Sequence, residues 1–265
     1  IAEFSIKMAK NVISISNFVQ KTLPQKVISK STIVANPFKT NTHPVSSVNI
    51  RTQLNIDDNA KILLFVGTLQ NQKQPMVALA ILNELLKAGT NVVLVMAGRY
   101  SSAAYDEIMQ FAAERHISQM VKLLGYRTDI TCLYEVSDVL LAPAIQEGFG
   151  RAVIESMINK VPVVAANSGG HREIIEDNVN GFLCPPGSVL SFVDVIKNIF
   201  GDPGRRNKIV EAASVCVSKE FQPRYHAKQV LKVYKFPDPK IAFVIESMGG
   251  GGTQQVLKSI STHFL

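Results

Sequence analysis

From Lys61 onward, short apolar runs of β-favouring residues alternate with longer stretches whose apolar positions recur at helical spacing. "KILLFVG", "NVVLVMAG", "MVKLLG", "DVLLAP" and "VPVVAA" read as strands. Between them, "PMVALAILNELLKAG", "AAYDEIMQFAAERH", a short segment in "DITCLYEVS" and "GRAVIESMINK" read as helices. "GFLCPPG" then precedes helices within "VLSFVDVIKNIF", "RRNKIVEAASVCVSKEF" and "RYHAKQVLKVY". Strands that are apolar on both faces, each followed by a helix, imply parallel strands buried between helical layers. The pattern therefore predicts an α/β domain with a doubly wound parallel sheet over about residues 36–235. The ends differ from this body. Residues 1–35 hold a strand-like run, "NVISIS", a short helix, "NFVQKTL", and a second strand, "STIVA", too little for a core of their own. After "FPDP", residues 236–265 read as a linker followed by a strand, a Gly-rich loop and the start of a helix.

With 265 residues, 46% of them hydrophobic, the chain has material for one large core or two modest ones. A net charge of +7 favours anionic partners. The basic residues are scattered, however, without a basic run or an aromatic-interleaved stripe, so nucleic acid is not an expected partner. Cys132, Cys184 and Cys216 fall in no paired spacing and read as reduced, buried thiols, which points to a cytoplasmic protein. No apolar run approaches the roughly 18 residues that span a bilayer. His43, His116, His226 and His263 show no metal-ligand spacing, so no metal site is expected. His171 stands at a helix start and reads as a capping or surface residue.

Open α/β sheets bind ligands outside the carboxyl ends of their strands, so the loops there are the places to look for chemistry. Gly67-Thr68-Leu69 with Lys73 follows the first strand, Gly98-Arg99 the second, and Glu147-Gly148-Phe149-Gly150 follows "DVLLAP". The amides of Phe149, Gly150 and Arg151 open a helix whose positive dipole end favours a phosphate or a sugar hydroxyl. Glu155, more than one turn further on, is expected to bring a second carboxylate towards the same crevice, where carboxylates suit vicinal hydroxyls and Lys73 suits a diphosphate.

The stretch "EGFGRAVIESMINKVPVVAANSGGHREIIEDNVNGFL", Glu147 to Leu183, resembles the signature of the family 4 retaining glycosyltransferases, which have the GT-B fold of two facing Rossmann-like domains. "LLFVGTLQNQKQP" resembles that family's first donor-domain strand and phosphate loop, "VVLVMAG" its second strand, and "VKLLGYRTDI" the strand leading to the base-binding loop. The resemblance covers about residues 1–235 and implies a nucleotide-sugar-binding domain that transfers a hexose from a nucleoside-diphosphate sugar to a hydroxyl of a saccharide or lipid-linked acceptor. It implies that Glu147 contacts the donor sugar, Glu155 the ribose, and the backbone of Phe149, Gly150 and Arg151 the sugar and phosphates. Lys73, beside Gly67 and Thr68, would hold the diphosphate and stabilise the leaving group, and Tyr126 and Arg127 would flank the nucleobase. No cofactor or metal is expected beyond the sugar nucleotide itself. Where the family usually has an arginine after the glycine of "FVG", this chain has Thr68, which leaves Arg99 or another residue to compensate, or donor binding weak.

The "KIAFVIESMGGGGTQQVLKSISTHFL" stretch resembles the first strand and glycine-rich loop of the family's acceptor-side domain, where Gly251 would approach the donor phosphates or the acceptor. Residues 1–35 resemble the end of that same domain, so most of a second Rossmann-like domain is absent. The order implies either a piece of a tandem pair of transferases or a rearranged chain. The positive charge adds the expectation of peripheral contact with the inner face of an acidic membrane. A reading from a different class, a non-catalytic sugar-nucleotide-binding or interaction module, rests chiefly on Thr68.

Overall fold

The computed structural model describes residues 9–38 and 50–234. The chain divides into two compact units, Asn41–Ser214 and a second that joins the N-terminal residues to those from Val215 on. The first unit is built on a six-stranded sheet of β3 (Lys61–Val66), β4 (Val92–Ala97), β5 (Val121–Gly125), β6 (Val139–Ala142), β7 (Val163–Ala166) and β8 (Phe182–Cys184). All pairings are parallel, in the order β5-β4-β3-β6-β7-β8. Only the last strand lacks a strand reading in the sequence; three residues of "GFLCPPG" are too few for a periodicity.

Both faces of the central strands are buried, as their continuous apolar runs require. Along β3, Leu63 and Phe65 join the core cluster on one face, while Ile62 and Leu64 between them are buried on the other. That cluster takes in Leu79, Leu82 and Leu85 of α4 (Pro75–Lys87), Ile108 and Ala112 of α5 (Ser102–Glu114), and Phe192 and Ile196 of α9 (Val189–Gly201). Buried residues on the remaining helices include Leu133 and Tyr134 of α6 (Ile130–Glu135) and Val153, Ile154 and Met157 of α7 (Arg151–Ile158). Proline at the first turn starts α4, and the amides of Gly89 and Thr90 bond back to Leu86 and Leu85 at 2.9 and 3.0 Å, closing it in the manner that "KAGTN" suggests. At the N-terminal ends of the two central strands, Asp138 accepts from the Ile62 amide at 2.9 Å and the Lys61 ammonium at 3.0 Å, which fixes β6 beside β3.

The strand order reverses between β3 and β6. Successive strands run outward from β3 in one direction and from β6 in the other, so the loops beyond their C-terminal ends diverge and leave a crevice at that point. Short helices α3 (Ile50–Gln53) and α8 (His171–Ile174) complete this unit, with the first part of α10 (Pro203–Glu220).

The second unit contains β1 (Val12–Ser14) paired parallel to β2 (Ser31–Ile33), with α1 (Asn17–Lys21) and α2 (Gln25–Ile28) between them. Ser16 caps α1 by accepting the Val19 amide at 3.0 Å. The end of α10 and α11 (Pro223–Tyr234) close onto this segment: the Phe38 amide donates to Phe221 at 2.7 Å, and His226 Nδ1 lies 2.7 Å from the Ala35 carbonyl. The strand, loop and helix read over residues 236–265, Gly251 among them, lie outside the described residues.

Candidate functional site

Three loops meet beyond the C-terminal ends of β3, β6 and β7. The loop after β3 first prolongs the ladder with β4, the Gly67 amide bonding Ala97 and the Leu69 amide bonding Arg99, each at 2.9 Å. A 3-10 turn at Asn71–Lys73 and a left-handed Gln74 then deliver the chain into α4, which aims Lys73 back across the sheet edge. The stem of Lys73 runs over Gly67: a Cβ built there would sit 3.8 Å from the lysine Cε.

The Lys73 ammonium forms an ion pair with Oε2 of Glu147. Both side chains keep part of their surface open, 31% for Lys73 and 16% for Glu147, so a ligand in the crevice can reach them. The loop carrying Glu147 is held on both sides. The Ile145 amide bonds Gln72 at 3.4 Å, the Ser168 hydroxyl donates to the Ile145 carbonyl, and the Gly170 amide donates to the Glu147 carbonyl at 2.7 Å. Gly169 and Gly170 are glycines because the two backbones touch. A Cβ on Gly170 would lie 2.7 Å from the Phe149 Cα, and one on Gly169 would lie 2.4 Å from the Glu147 carbonyl oxygen.

Burial by itself would push the Glu147 carboxyl upward, but the charge and hydrogen bond of Lys73, together with a backbone hydrogen bond from Phe149, hold it below the ordinary value. Glu147 is therefore a carboxylate at neutral pH. His171 is no surface residue: it is 1% exposed, with its Nδ1 placed to donate to the Ala166 carbonyl at 3.2 Å. Burial pushes its pKa below the ordinary value against the opposing pull of Glu147. A neutral imidazole thus lies under the Lys73–Glu147 pair. The glycine pair before it brings His171 into the core, and one chain's sequence carries no signal for the depth at which that turn sits.

Glu155 occupies a different setting, within α7. Gly150, at φ 96°, caps α7 in a left-handed conformation that glycine adopts freely. One turn in, Oε1 of Glu155 accepts from Arg151 at 3.1 Å and Oε2 from the Tyr134 hydroxyl at 3.2 Å. The two carboxylates read from sequence therefore hold different partners, Glu147 with Lys73 and Glu155 with Arg151 and Tyr134. Tyr134 is not legible as a site residue in the sequence, because its place in "CLYEV" is that of an ordinary core aromatic. It is fully buried, and burial first, then the charge of Glu155, keep its phenol protonated, so it stays a donor, with the Glu155 carboxylate at 3.2 Å and the Ala152 carbonyl at 3.3 Å as its two acceptors. Phe149 packs its side chain inward at 6% exposure.

Beyond β4 and β5, Tyr126 is 57% exposed, with the Arg99 guanidinium 5.0 Å from its ring centroid. Arg127 instead turns to Asp129, its Nε donating at 2.8 Å in a two-pronged pair. Thr68 stands half-buried between Gly67 and Leu69. Among the described residues, no group of three or more His, Cys, Asp or Glu side chains could hold a metal ion, and no helix is long and apolar enough to cross a membrane.

A parallel sheet with this strand order, loops packed glycine against backbone near its reversal point and an ion-paired lysine and glutamate on those loops define a Rossmann-like domain of the GT-B glycosyltransferase type. The chain belongs to the family described as glycosyl transferases group 1, which matches residues 46–215. It is 30% identical over 190 residues to an uncharacterized glycosyltransferase of Methanocaldococcus jannaschii, covering 71% of this chain and 48% of that protein. It is 28% identical over 190 residues to the D-inositol 3-phosphate glycosyltransferase of Corynebacterium aurimucosum, covering 69% of this chain and 45% of that one. The chain thus spans about half the length of these relatives. Among solved structures, Anabaena HepE in complex with UDP and glucose superposes with a TM-score of 0.79 at 24% identity, over 89% of this chain and 67% of HepE. Sucrose-phosphate synthase from Thermosynechococcus elongatus superposes with a TM-score of 0.76 at 21% identity, over 88% of this chain and 60% of the synthase.

Proposed function

We propose that this chain is the donor-binding domain of a retaining glycosyltransferase that moves a hexose from a nucleoside-diphosphate sugar to a hydroxyl of a saccharide or lipid-linked acceptor. The observation that carries the reading is the Lys73–Glu147 ion pair at the point where the strand order reverses. An ammonium has three donors. With one on Glu147, Lys73 has two left for diphosphate oxygens, so one residue both holds the carboxylate in place and opposes the charge that grows on the leaving group. Glu147, ionised and beside the sugar position, takes the donor's hydroxyls. Glu155, oriented by Tyr134 and Arg151, takes the ribose. Retention follows from attack on the face of the leaving group, with the departing phosphate as base. No metal and no cofactor besides the sugar nucleotide enters this scheme. UDP and UDP-glucose bound to HepE support a nucleotide-sugar donor here by analogy of fold. A lipid-linked acceptor and the net charge of +7 favour work at the cytoplasmic face of an acidic membrane.

Calorimetric titration with UDP-, GDP- and ADP-sugars tests the reading. Saturable binding of at least one is expected, weakened roughly tenfold or more by Lys73→Ala and by Glu155→Ala, since hydrogen bonds to charged groups contribute about 1.5–3 kcal/mol. Absence of binding, or binding indifferent to both variants, would overturn it. Binding without sugar transfer by the full-length protein to any acceptor would instead identify a non-catalytic module, and product NMR of an active preparation would report the anomeric configuration.

A further inference from the structure

Lys73, Arg127 and Arg151, three cations at the C-terminal edge of the sheet, each meet a carboxylate: Glu147, Asp129 and Glu155. Arg99, in the loop after β4, meets none. It is exposed, its guanidinium carbon lies 5.0 Å from the Tyr126 ring centroid, and among the described residues its N–H groups have no hydrogen-bond or ion-pair partner. A cation–π contact occupies no hydrogen-bond acceptor, so the five N–H donors of the guanidinium stay available to a ligand.

The backbone that carries this guanidinium is fixed against the lysine loop. The Gly98 amide bonds Gly125 at 2.8 Å and the Leu69 amide bonds the Arg99 carbonyl at 2.9 Å. A Cβ on Gly98 would fall 1.8 Å from the Gly67 carbonyl oxygen, so the loops after β3 and β4 are in backbone contact, and the Lys73 stem crosses Gly67. Charge adds a second argument. A diphosphate diester brings two negative charges, whereas Lys73 supplies one positive charge already opposed by Glu147. A further cation with unused donors on the neighbouring loop would balance the second charge, and a planar fork engages paired oxygens better than a point charge.

We propose that Arg99, beside the Tyr126 ring, is a binding residue for the diphosphate of the sugar nucleotide, acting from the β4 side while Lys73 acts from the β3 side. This rests on the nucleotide-sugar reading above. The Tyr126 ring helps to hold the guanidinium in place.

The test compares Arg99→Ala, Arg99→Lys, Tyr126→Ala and Tyr126→Phe with the wild-type chain by calorimetry. The probes are whichever of UDP, GDP and ADP the wild type binds best, its parent nucleoside, and inorganic pyrophosphate. Arg99→Ala is expected to weaken the nucleoside diphosphate and pyrophosphate roughly tenfold or more while changing nucleoside affinity less than about twofold, with Arg99→Lys between. Tyr126→Ala is expected to lose part of the diphosphate affinity, and Tyr126→Phe, which keeps the ring, to lose less of it. Diphosphate binding by Arg99→Ala within about twofold of wild type would refute the role while leaving the functional reading intact, and equal losses for nucleoside and diphosphate would refute it in favour of a base contact. A wild type that binds none of the three nucleotides would remove the functional reading and this proposal together.

Discussion

Tyr134 shows how one buried hydroxyl can set the geometry of a binding carboxylate. Its phenol, held protonated by burial and by the negative charge it faces, donates to Glu155 and so leaves that carboxylate one orientation with Arg151 on its other oxygen. Tyr134→Phe preserves the packing and removes only the donor. It is expected to cost about 1 kcal/mol of stability and to weaken nucleotide-sugar affinity several-fold, as read by thermal denaturation and calorimetry; unchanged affinity would show that Arg151 alone orients Glu155. Two buried histidines add a pH dependence. Burial pushes His171 and His226 below their ordinary value of 6.5, outweighing the pull of Glu147 on His171 and of the backbone carbonyls of Ala166 and Ala35 that the two rings meet. Below about pH 6.5 the unfolded chain takes up protons that the folded chain refuses, so stability falls as pH drops towards the folded-state values, by at most ~1.4 kcal/mol per pH unit for each histidine. Glu147, also depressed, contributes stability that is present above the ordinary carboxylate value of 4.5 and lost below it. Melting temperatures measured from about pH 7.5 to 5.5 are expected to decline, with a shallower decline in His226→Gln; equal slopes would show that His226 does not contribute.

At the scale of elements, the site depends on two turns that place backbone against backbone. The strand β7 ends in a loop whose glycines lie on the Glu147–Phe149 segment so closely that no side chain fits between them. Gly170 has an ordinary helical φ of −66°, so its substitution is governed by collision and not by strain. Gly170→Ala is expected to displace the segment that carries Glu147, lowering stability by about 1–3 kcal/mol and the melting temperature by several degrees, and abolishing the Lys73-dependent part of nucleotide binding. Gly89→Ala supplies the contrast. Its Cβ would meet nothing within 4 Å, and only the left-handed φ of 77° opposes it, so a cost of about 1 kcal/mol with unchanged binding is expected. The helix α7 is short, eight residues, yet it carries the amides, Arg151 and Glu155 because its start is fixed by that same pair of loops.

Among the described residues, apolar burial is concentrated in the unit of residues 41–214, whose sheet has helices on both faces. Leu82 is fully buried in the core cluster, and Leu82→Ala is expected to cost about 2–5 kcal/mol by denaturant unfolding. Amide exchange should be slowest in β3 and β4, whose residues are bonded on both sides and almost entirely buried, and faster in the two-stranded pairing of β1 with β2.

Periodicity alone determined the alternation of strands and helices, since a strand buried on both faces must be apolar throughout and a covering helix must be apolar on one stripe. The same local logic marked the loops that could bind an anion, because a lysine, a glutamate and glycines following strands are visible one segment at a time. What joined them was tertiary. Lys73 and Glu147 are 74 residues apart and meet only because β3 and β6 are neighbours in the sheet. Tyr134 finds Glu155 across 21 residues, and His171 is buried only because the Gly169–Gly170 turn folds under Glu147. Hydrophobic pattern is written in each segment separately, whereas the partner of a charge is decided by which strands lie side by side and how closely their loops can approach.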